Sequence, residues 1–345
     1  MGLTPNYRVV ANSADITDAI AGRLSTMRFT DEAGVDSDAL EIVLADTDPD
    51  NPIQMPPTGA ELELFLGYDG ASQRMGLFVV DEIELGGWPG EMTIRARAAP
   101  FLNSKGGKAN LQTQKTRSWA KGTTLGAIVK KVASEHGMTG MCAASLASIA
   151  LPHLDQSDES DLHFLLRVAK KYDGVVKPSN GKLVVAKRGE TKSVSGEQLS
   201  TVTLTPSDVK GFRVTLARRE DSGSVVASYH DAKKAKRHTV TVGTGEPVTR
   251  LRMQHSTKDM ALAAAKAELA KRGRAKVKVS LVLEGDPAIC AEAPLTLVGF
   301  RDGVPASLVI TRVEHALDKS GGYVCSVEAE LPNSTGQQSV AEAQE

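Results

Sequence analysis

The stretch Ala39-Leu40-Glu41-Ile42-Val43-Leu44 sets the reading of the chain: Leu40, Ile42 and Leu44 fall on one side of a period-two repeat, and Ala39, Glu41 and Val43 on the other. Successive side chains of a β-strand point to opposite faces, so this pattern predicts a strand with one buried face. Two further runs repeat it. Leu62, Leu64 and Leu66 alternate with Glu61, Glu63 and Phe65, and Ile94, Ala96 and Ala98 alternate with Thr93, Arg95 and Arg97. Turn-forming clusters separate the runs, at Asp31-Glu32-Ala33-Gly34, Asp48-Pro49-Asp50-Asn51-Pro52, Pro56-Pro57-Thr58-Gly59 and Gly86-Gly87-Trp88-Pro89-Gly90. Pro presets φ and Gly tolerates positive φ, so such clusters interrupt strands. Residues 1–103 therefore predict a first block of short strands, a sandwich or a barrel.

The period then changes. In residues 104–192, Leu125, Ile128, Val129 and Val132 form one stripe behind an N-cap at Thr123, with Gly137 as the stop. A second helix is expected from Asp158 to Tyr172, with Leu162, Leu165, Leu166 and Ala169 on its apolar face and Gly174 ending it. Acidic residues in its first turn and Lys170-Lys171 in its last suit the helix dipole. A hairpin follows, Val175-Val176 against Leu183-Val184-Val185. Residues 193–331 return to strands, at Phe212, Val214 and Leu216, at Val277, Val279, Leu281 and Leu283, and at Tyr323, Cys325 and Val327. One helix interrupts them, from Ser256 or Thr257 to Arg272, with Gly273 expected just past its end. Residues 332–345 are polar and unpatterned and are expected to be disordered. The fold class is thus α+β, mainly β: two β blocks flanking a small α+β module.

Composition excludes several functions. The net charge of -1 and the 4% aromatic content do not suit a phosphate-neutralising or base-stacking surface. Near-neutrality offers little electrostatic resistance to self-association. The three cysteines, Cys142, Cys290 and Cys325, show neither metal-ligand spacing nor a disulfide framework, which fits synthesis in a reducing cytoplasm. The first residues show no signal-peptide pattern, and the longest apolar-looking run, Met141 to Pro152, is too short to span a bilayer.

Catalytic patterns are also missing. The seven histidines form no H-x-x-x-H or H-E-x-x-H pair, and the glycine pairs match no phosphate-binding motif, so neither metal nor cofactor is expected. The densest acidic group is Asp155, Asp158, Glu159 and Asp161. Paired carboxylates can hydrolyse glycosides, which gives the alternative reading of a peptidoglycan-binding or wall-degrading protein. Capping of a helix start explains the same residues more simply. Two basic clusters stand out, Lys233-Lys234-Lys236-Arg237 and Lys271-Arg272-Arg274-Lys276-Lys278. In the second, Lys276 and Lys278 alternate with Val277 and Val279 and are expected on one strand face. The acidic group and these two lysines are interface candidates. No residue is read as catalytic, cofactor-binding or metal-ligating.

Several phrases resemble the phage late control D (tail protein D) family. They are Phe29-Thr30-Asp31-Glu32-Ala33-Gly34, Met75-Gly76-Leu77-Phe78-Val79-Val80-Asp81-Glu82, Leu151-Pro152-His153-Leu154-Asp155-Gln156-Ser157-Asp158, Tyr229-His230-Asp231 and Thr311-Arg312-Val313-Glu314-His315. The resemblance spans about residues 7–331 in the expected order, and the acidic stretch before Phe164-Leu165 is also similar to the spike-hub proteins of type VI secretion. It implies a non-enzymatic baseplate hub of a contractile tail, assembled in the host cytoplasm and carried in the virion. The implied hub is a homotrimer joining a hexameric tail tube to a trimeric spike, with other baseplate proteins and the tape measure protein as further partners. It further implies two tube-protein-like β-barrels flanking a LysM-like module, no specific nucleic acid and no direct membrane insertion. No helix-turn-helix with a basic recognition helix supports a role in transcription.

Overall fold

The computed structural model describes residues 4–34, 38–98, 111, 113–179, 181–191, 198–217, 223–231, 236–318, 322–333 and 340–344. The first block forms β1 (Pro5–Ala11), β2 (Ala14–Asp15), α1 (Thr17–Ala21), β3 (Leu24–Glu32), β4 (Ala39–Ala45), β5 (Glu61–Tyr68), β6 (Ala71–Gly86) and β7 (Glu91–Ala98). The alternation in the sequence is the cause of its packing: Leu40, Ile42, Leu44, Leu62, Leu64 and Leu66 are all buried. The opposite face is charged. There Arg95 of β7 bridges Glu41 of β4 and Glu82 and Glu84 of β6, at 2.8 to 3.1 Å.

The middle module contains β8 (Gln114–Trp119), α2 (Leu125–Glu135), β9 (Thr139–Cys142), α3 (Ala144–Ala147), β10 (Leu154–Ser160), α4 (Asp161–Lys170), β11 (Gly174–Ser179) and β12 (Lys182–Lys187). Its core is its own: Leu125, Ile128, Val129 and Val132 of α2 meet Phe164, Leu165 and Val168 of α4 and Val176, Leu183 and Val185 of the hairpin. The hairpin pairs Val176 with Val185, as expected, and β12 adds β9 in parallel. Three local expectations change. The cap of α2 is Thr124, whose Oγ1 accepts the Ala127 N–H, rather than Thr123. The second helix starts at Asp161, because Leu154–Ser160 is taken up in antiparallel pairing with β8. Its cap is Ser160, accepting the His163 N–H at 3.2 Å. The helix ends at Lys170; Asp173 takes the left-handed turn at φ 57, and Gly174 opens β11 instead of stopping the helix.

The third block holds β13 (Val202–Leu204), β14 (Val209–Leu216), β15 (Ser224–Asp231), β16 (Lys236–Gly243), β17 (Val248–His255), α5 (Lys258–Ala275), β18 (Val277–Glu284), β19 (Pro294–Leu297), β20 (Ser307–Asp318), β21 (Gly322–Glu330) and β22 (Val340–Gln344). Thr257 caps α5, as expected, but the helix runs through Gly273 to Ala275. The Arg274 side chain is 2% exposed and fixed by Asp173 and Glu330, and that anchorage holds the last turn. Ala261 and Ala265 pack α5 onto the sheet β17-β15-β16-β22. The expected disorder of residues 332–345 is corrected for Val340–Gln344, which pair antiparallel with β16. An open strand edge offers unpaired N–H and C=O groups that such a segment satisfies.

The two β blocks meet in one 13-stranded sheet, in the order β14-β18-β21-β20-β3-β4-β7-β6-β5-β1-β2, with β19 paired to β20 and β13 to β19. The seam is β3 against β20, where Phe29 lies opposite His315 and Met27 opposite Leu317. Their side chains share one core with Phe78, Tyr323, Cys325 and Val327. Phe29 stacks on His315 at 5.4 Å and meets Phe78 edge-on at 5.6 Å.

Candidate functional site

Asp161 sits at the start of α4, fully buried, and four elements converge on its carboxylate. Lys115 Nζ and Arg117 Nη2 of β8 donate to it at 2.6 and 2.5 Å. Gln156 Nε2 of β10 donates at 2.8 Å, and His136 Nε2 at the end of α2 lies 2.7 Å away. Glu135 also pairs with Lys115 Nζ and Arg117 Nη1, and Arg117 Nε donates to Gln156 Oε1 at 2.9 Å. Burial pushes the Asp161 carboxyl up, but the bonds from Gln156, Lys115 and His136 and the charge of Arg117 outweigh it and hold the group at about 2. A buried carboxylate so fully paired organises a fold; it has neither a free lone pair nor access for chemistry.

The other acidic candidates lie on β10 rather than in a helix turn. Asp155 meets His153 at 3.1 Å, and Asp158, at φ 46 in a bulge of the strand, accepts the Thr116 hydroxyl at 2.8 Å. Glu159 is held by Arg167 at 2.6 Å and by His163 at 3.1 Å. Asp155, Asp158, Glu159, His163 and Arg167 line an open hollow with Gln114, Ser157 and Ser160. A two-carboxylate hydrolase needs one carboxyl raised so that it stays protonated near neutrality. Here the Arg167 bonds keep Glu159 below the usual carboxylate range, and Asp161 is held at about 2.

Lys276 and Lys278 do not share a strand face. Lys276 caps α5, and its carbonyl accepts the Ala217 N–H; only Lys278 stands on β18, exposed, opposite Thr215 and Glu330. In the other basic cluster, Lys233 and Lys234 lie outside the described residues. Among the described residues no group of three or more His, Cys, Asp or Glu is placed to hold a metal ion, and no helix is long and apolar enough to cross a membrane.

A different surface emerges at the end of the large sheet. Phe212, Val214 and Leu216 of β14 lie opposite Leu281, Val279 and Val277 of β18. Opposed residues in an antiparallel pair share a face, so the β14 row points the way the core does. The β18 residues are buried, whereas Phe212 is 49% and Leu216 64% exposed. Phe300 extends the patch edge-on to Phe212 at 5.4 Å, beside Val298, itself 49% exposed. The hydrophobic face thus runs off the end of the chain's own core. The sequence carried the strand pattern, but exposure depends on which strand ends the sheet, and no local pattern states that.

The comparisons with known proteins bear on the whole of this architecture. The family model described as phage tail baseplate hub (GPD) matches residues 39–321. The probable baseplate hub protein of Escherichia phage P2 is 33% identical over 373 residues, covering 95% of this chain and 94% of that protein. Among solved structures, the 43 kDa tail protein of prophage MuSo2 from Shewanella oneidensis superposes with a TM-score of 0.71 at 14% identity, covering 95% of this chain and 99% of that one. The E. coli c3393 protein, a component of the type VI secretion system, shares the fold at a TM-score of 0.56 and 12% identity over 91% of this chain and 74% of its own. A match that begins in β4, crosses the middle module and ends before β21 takes in part of each β block and everything between them, and the chain therefore belongs to the phage tail baseplate hub family, as a structural component of the tail rather than an enzyme.

Proposed function

We propose that the chain works as a homotrimeric collar, joining the hexameric tail tube on one face to the trimeric central spike on the other. The observation that carries this reading is the apolar row of β14, with Phe212 and Leu216 exposed and Val214 half-buried between them. Exposed core-facing residues at a sheet end are the mark of a face that another chain covers. A second copy is the natural occupant, because a head-to-tail contact repeated with rotation closes a ring. The shared sheet gives each chain two strand-rich lobes, so three chains offer six to the tube.

On this reading residues 1–103 and 193–331 act as tube-protein-like barrels, and residues 104–192 as a LysM-like module that serves as scaffold. Asp155, Asp158 and Glu159 of the module and Lys278 of β18 supply polar contacts between subunits, whereas Asp161 and Lys276 act from within the fold. Neighbouring baseplate proteins and the tape measure protein complete the set of partners. An interface that survives contraction buries on the order of 2,000 Å² or more per pair. Cryo-electron microscopy of the assembled tail tests the proposal. A threefold ring between tube and spike, with β14 at the subunit boundary, is the expected result; a monomer on the tail periphery would refute it.

A further inference from the structure

Two half-buried ionic clusters fasten the middle module to the large sheet, and each holds one carboxylate more than its cations balance. At the first seam Lys177 of β11 reaches Asp31 Oδ1 at 3.1 Å, Asp38 Oδ1 at 2.6 Å and the Glu32 carbonyl at 3.1 Å. Asp31 Oδ2 also accepts the Ala291 N–H at 2.8 Å, and Asp38 Oδ1 accepts the Glu32 N–H at 3.1 Å. One ammonium therefore faces two carboxylates. The Glu32 carboxylate is engaged elsewhere, with Arg312 at 3.2 Å. The remaining titratable neighbours supply no cation at neutral pH: burial pushes the Cys290 thiol up and the His315 imidazole down to about 4.

At the second seam Arg274 grips both oxygens of Asp173 at 2.6 Å, pairs with Glu330 at 3.0 Å and donates to Asn333. Glu292 accepts the Gly189 N–H at 3.2 Å. Arg188 and Arg274 are the cations that face Glu292, and Glu330 is the anion that faces it. Three carboxylates, those of Asp173, Glu292 and Glu330, thus share two guanidinium groups. Asp173, Lys177, Arg188 and Gly189 come from the middle module and its exit, whereas Asp31, Asp38, Arg274, Glu292 and Glu330 come from the two β blocks.

We propose that these clusters are a proton-operated latch: protonation of Asp38 and Glu292 clamps the middle module to the sheet, and their ionisation loosens it. Burial first, and then the charge of Asp31, raises Asp38 to about 6 against the pull of Lys177. Burial likewise raises Glu292 to about 7, with Glu330 adding to the rise and the Gly189 N–H, Arg188 and Arg274 opposing it. Both groups bind a proton more tightly when docked than in water. Docking is therefore strongest below their ordinary values of 3.8 and 4.5, and weakens as pH rises through about 6 and about 7. The latch is a property of the single chain and stands independently of the collar.

Hydrogen–deuterium exchange on the full-length chain tests it between about pH 5.5 and pH 8. Amides of β11 and of the last turn of α5 report on the seams, and amides of Leu40–Leu44 in the same molecules correct for the intrinsic pH dependence of exchange. The expected result is a fall in corrected protection of at least about tenfold across that range, following proton linkage at the two acids. Asp38→Asn and Glu292→Gln each shrink the fall, and together they abolish it. A flat wild-type profile overturns the proposal, as does an undiminished fall in the folded double variant. Failure of the double variant to fold at pH 8 overturns it too, since neutral amides mimic the clamped form.

Discussion

The middle module and the large sheet solve the same problem in opposite ways. In the module, every buried apolar residue of the core lies between Leu111 and Val185, and the buried Asp161 network joins Lys115, Arg117, Glu135, His136 and Gln156 within the same stretch. In the sheet, β3 hydrogen-bonds to β20 across most of the chain's length, and the core mixes Met27 and Phe29 with Val313, Tyr323 and Val327. One region is held by near neighbours and a charge; the other by distant neighbours and apolar area. Local contacts cost little loop entropy, whereas the seam repays a long closure only after many strands have formed. The module should therefore fold and fail alone, and the sheet should fail as one body.

Asp161→Ala breaks the comparison most sharply. Removing the buried carboxylate leaves Arg117 and Lys115 with Glu135 as their one remaining anion and takes the acceptor from Gln156 and His136, at a cost of about 3–5 kcal/mol. Calorimetry should resolve a separate early transition, and exchange should locate it in α2 and α4 while β4 stays protected. A single transition lowered as a whole would contradict the independence of the module. The same carboxyl gives the module an acid limb. Its folded value of about 2 lies below the ordinary 3.8, so its contribution is present above 3.8 and lost as pH falls towards 2. Asp161→Asn should remove that limb in acid titrations followed by the Trp119 signal.

Leu281→Ala comes next, at about 2–5 kcal/mol for a buried leucine. Because Leu281 lies in the shared core, amides of both β3 and β21 should lose protection together, although they belong to different sequence blocks. Loss confined to the third block would show two separate cores. Glu159→Gln removes a partly exposed pair with Arg167 and should cost about 1 kcal/mol or less, read as a small shift in the module's own melting temperature. The double change Phe212→Asp with Leu216→Asp should cost the monomer about 1 kcal/mol, chiefly the edge-on contact of Phe212 with Phe300. Its main effect should be on assembly.

The sequence made the local half of this contrast legible. Period-two runs marked β4, β5, β7 and β18, and apolar stripes marked α2 and α5. The hairpin of β11 and β12 was equally plain. Reading failed at β10, where the buried face carries Gln156 beneath Leu154 and no apolar alternation announces a strand. It failed at Arg274 for a related reason, since a basic residue in a last helical turn reads as solvated until its partners Asp173 and Glu330 arrive from elsewhere. The seam between β3 and β20 left no local trace at all. Of the candidate site residues, Asp161 reads in the sequence as a helix-start carboxylate and interface candidate; it stands at the start of α4, but fully buried. The apolar row of β14 was seen as a strand without its exposure.

The solution mass of the purified chain, alone and mixed with its spike protein, tests the central claim most directly. The collar predicts a species of three times the 36.5 kDa chain mass that Phe212→Asp with Leu216→Asp converts to monomer. A 36.5 kDa monomer at every concentration, with and without the spike, would contradict it.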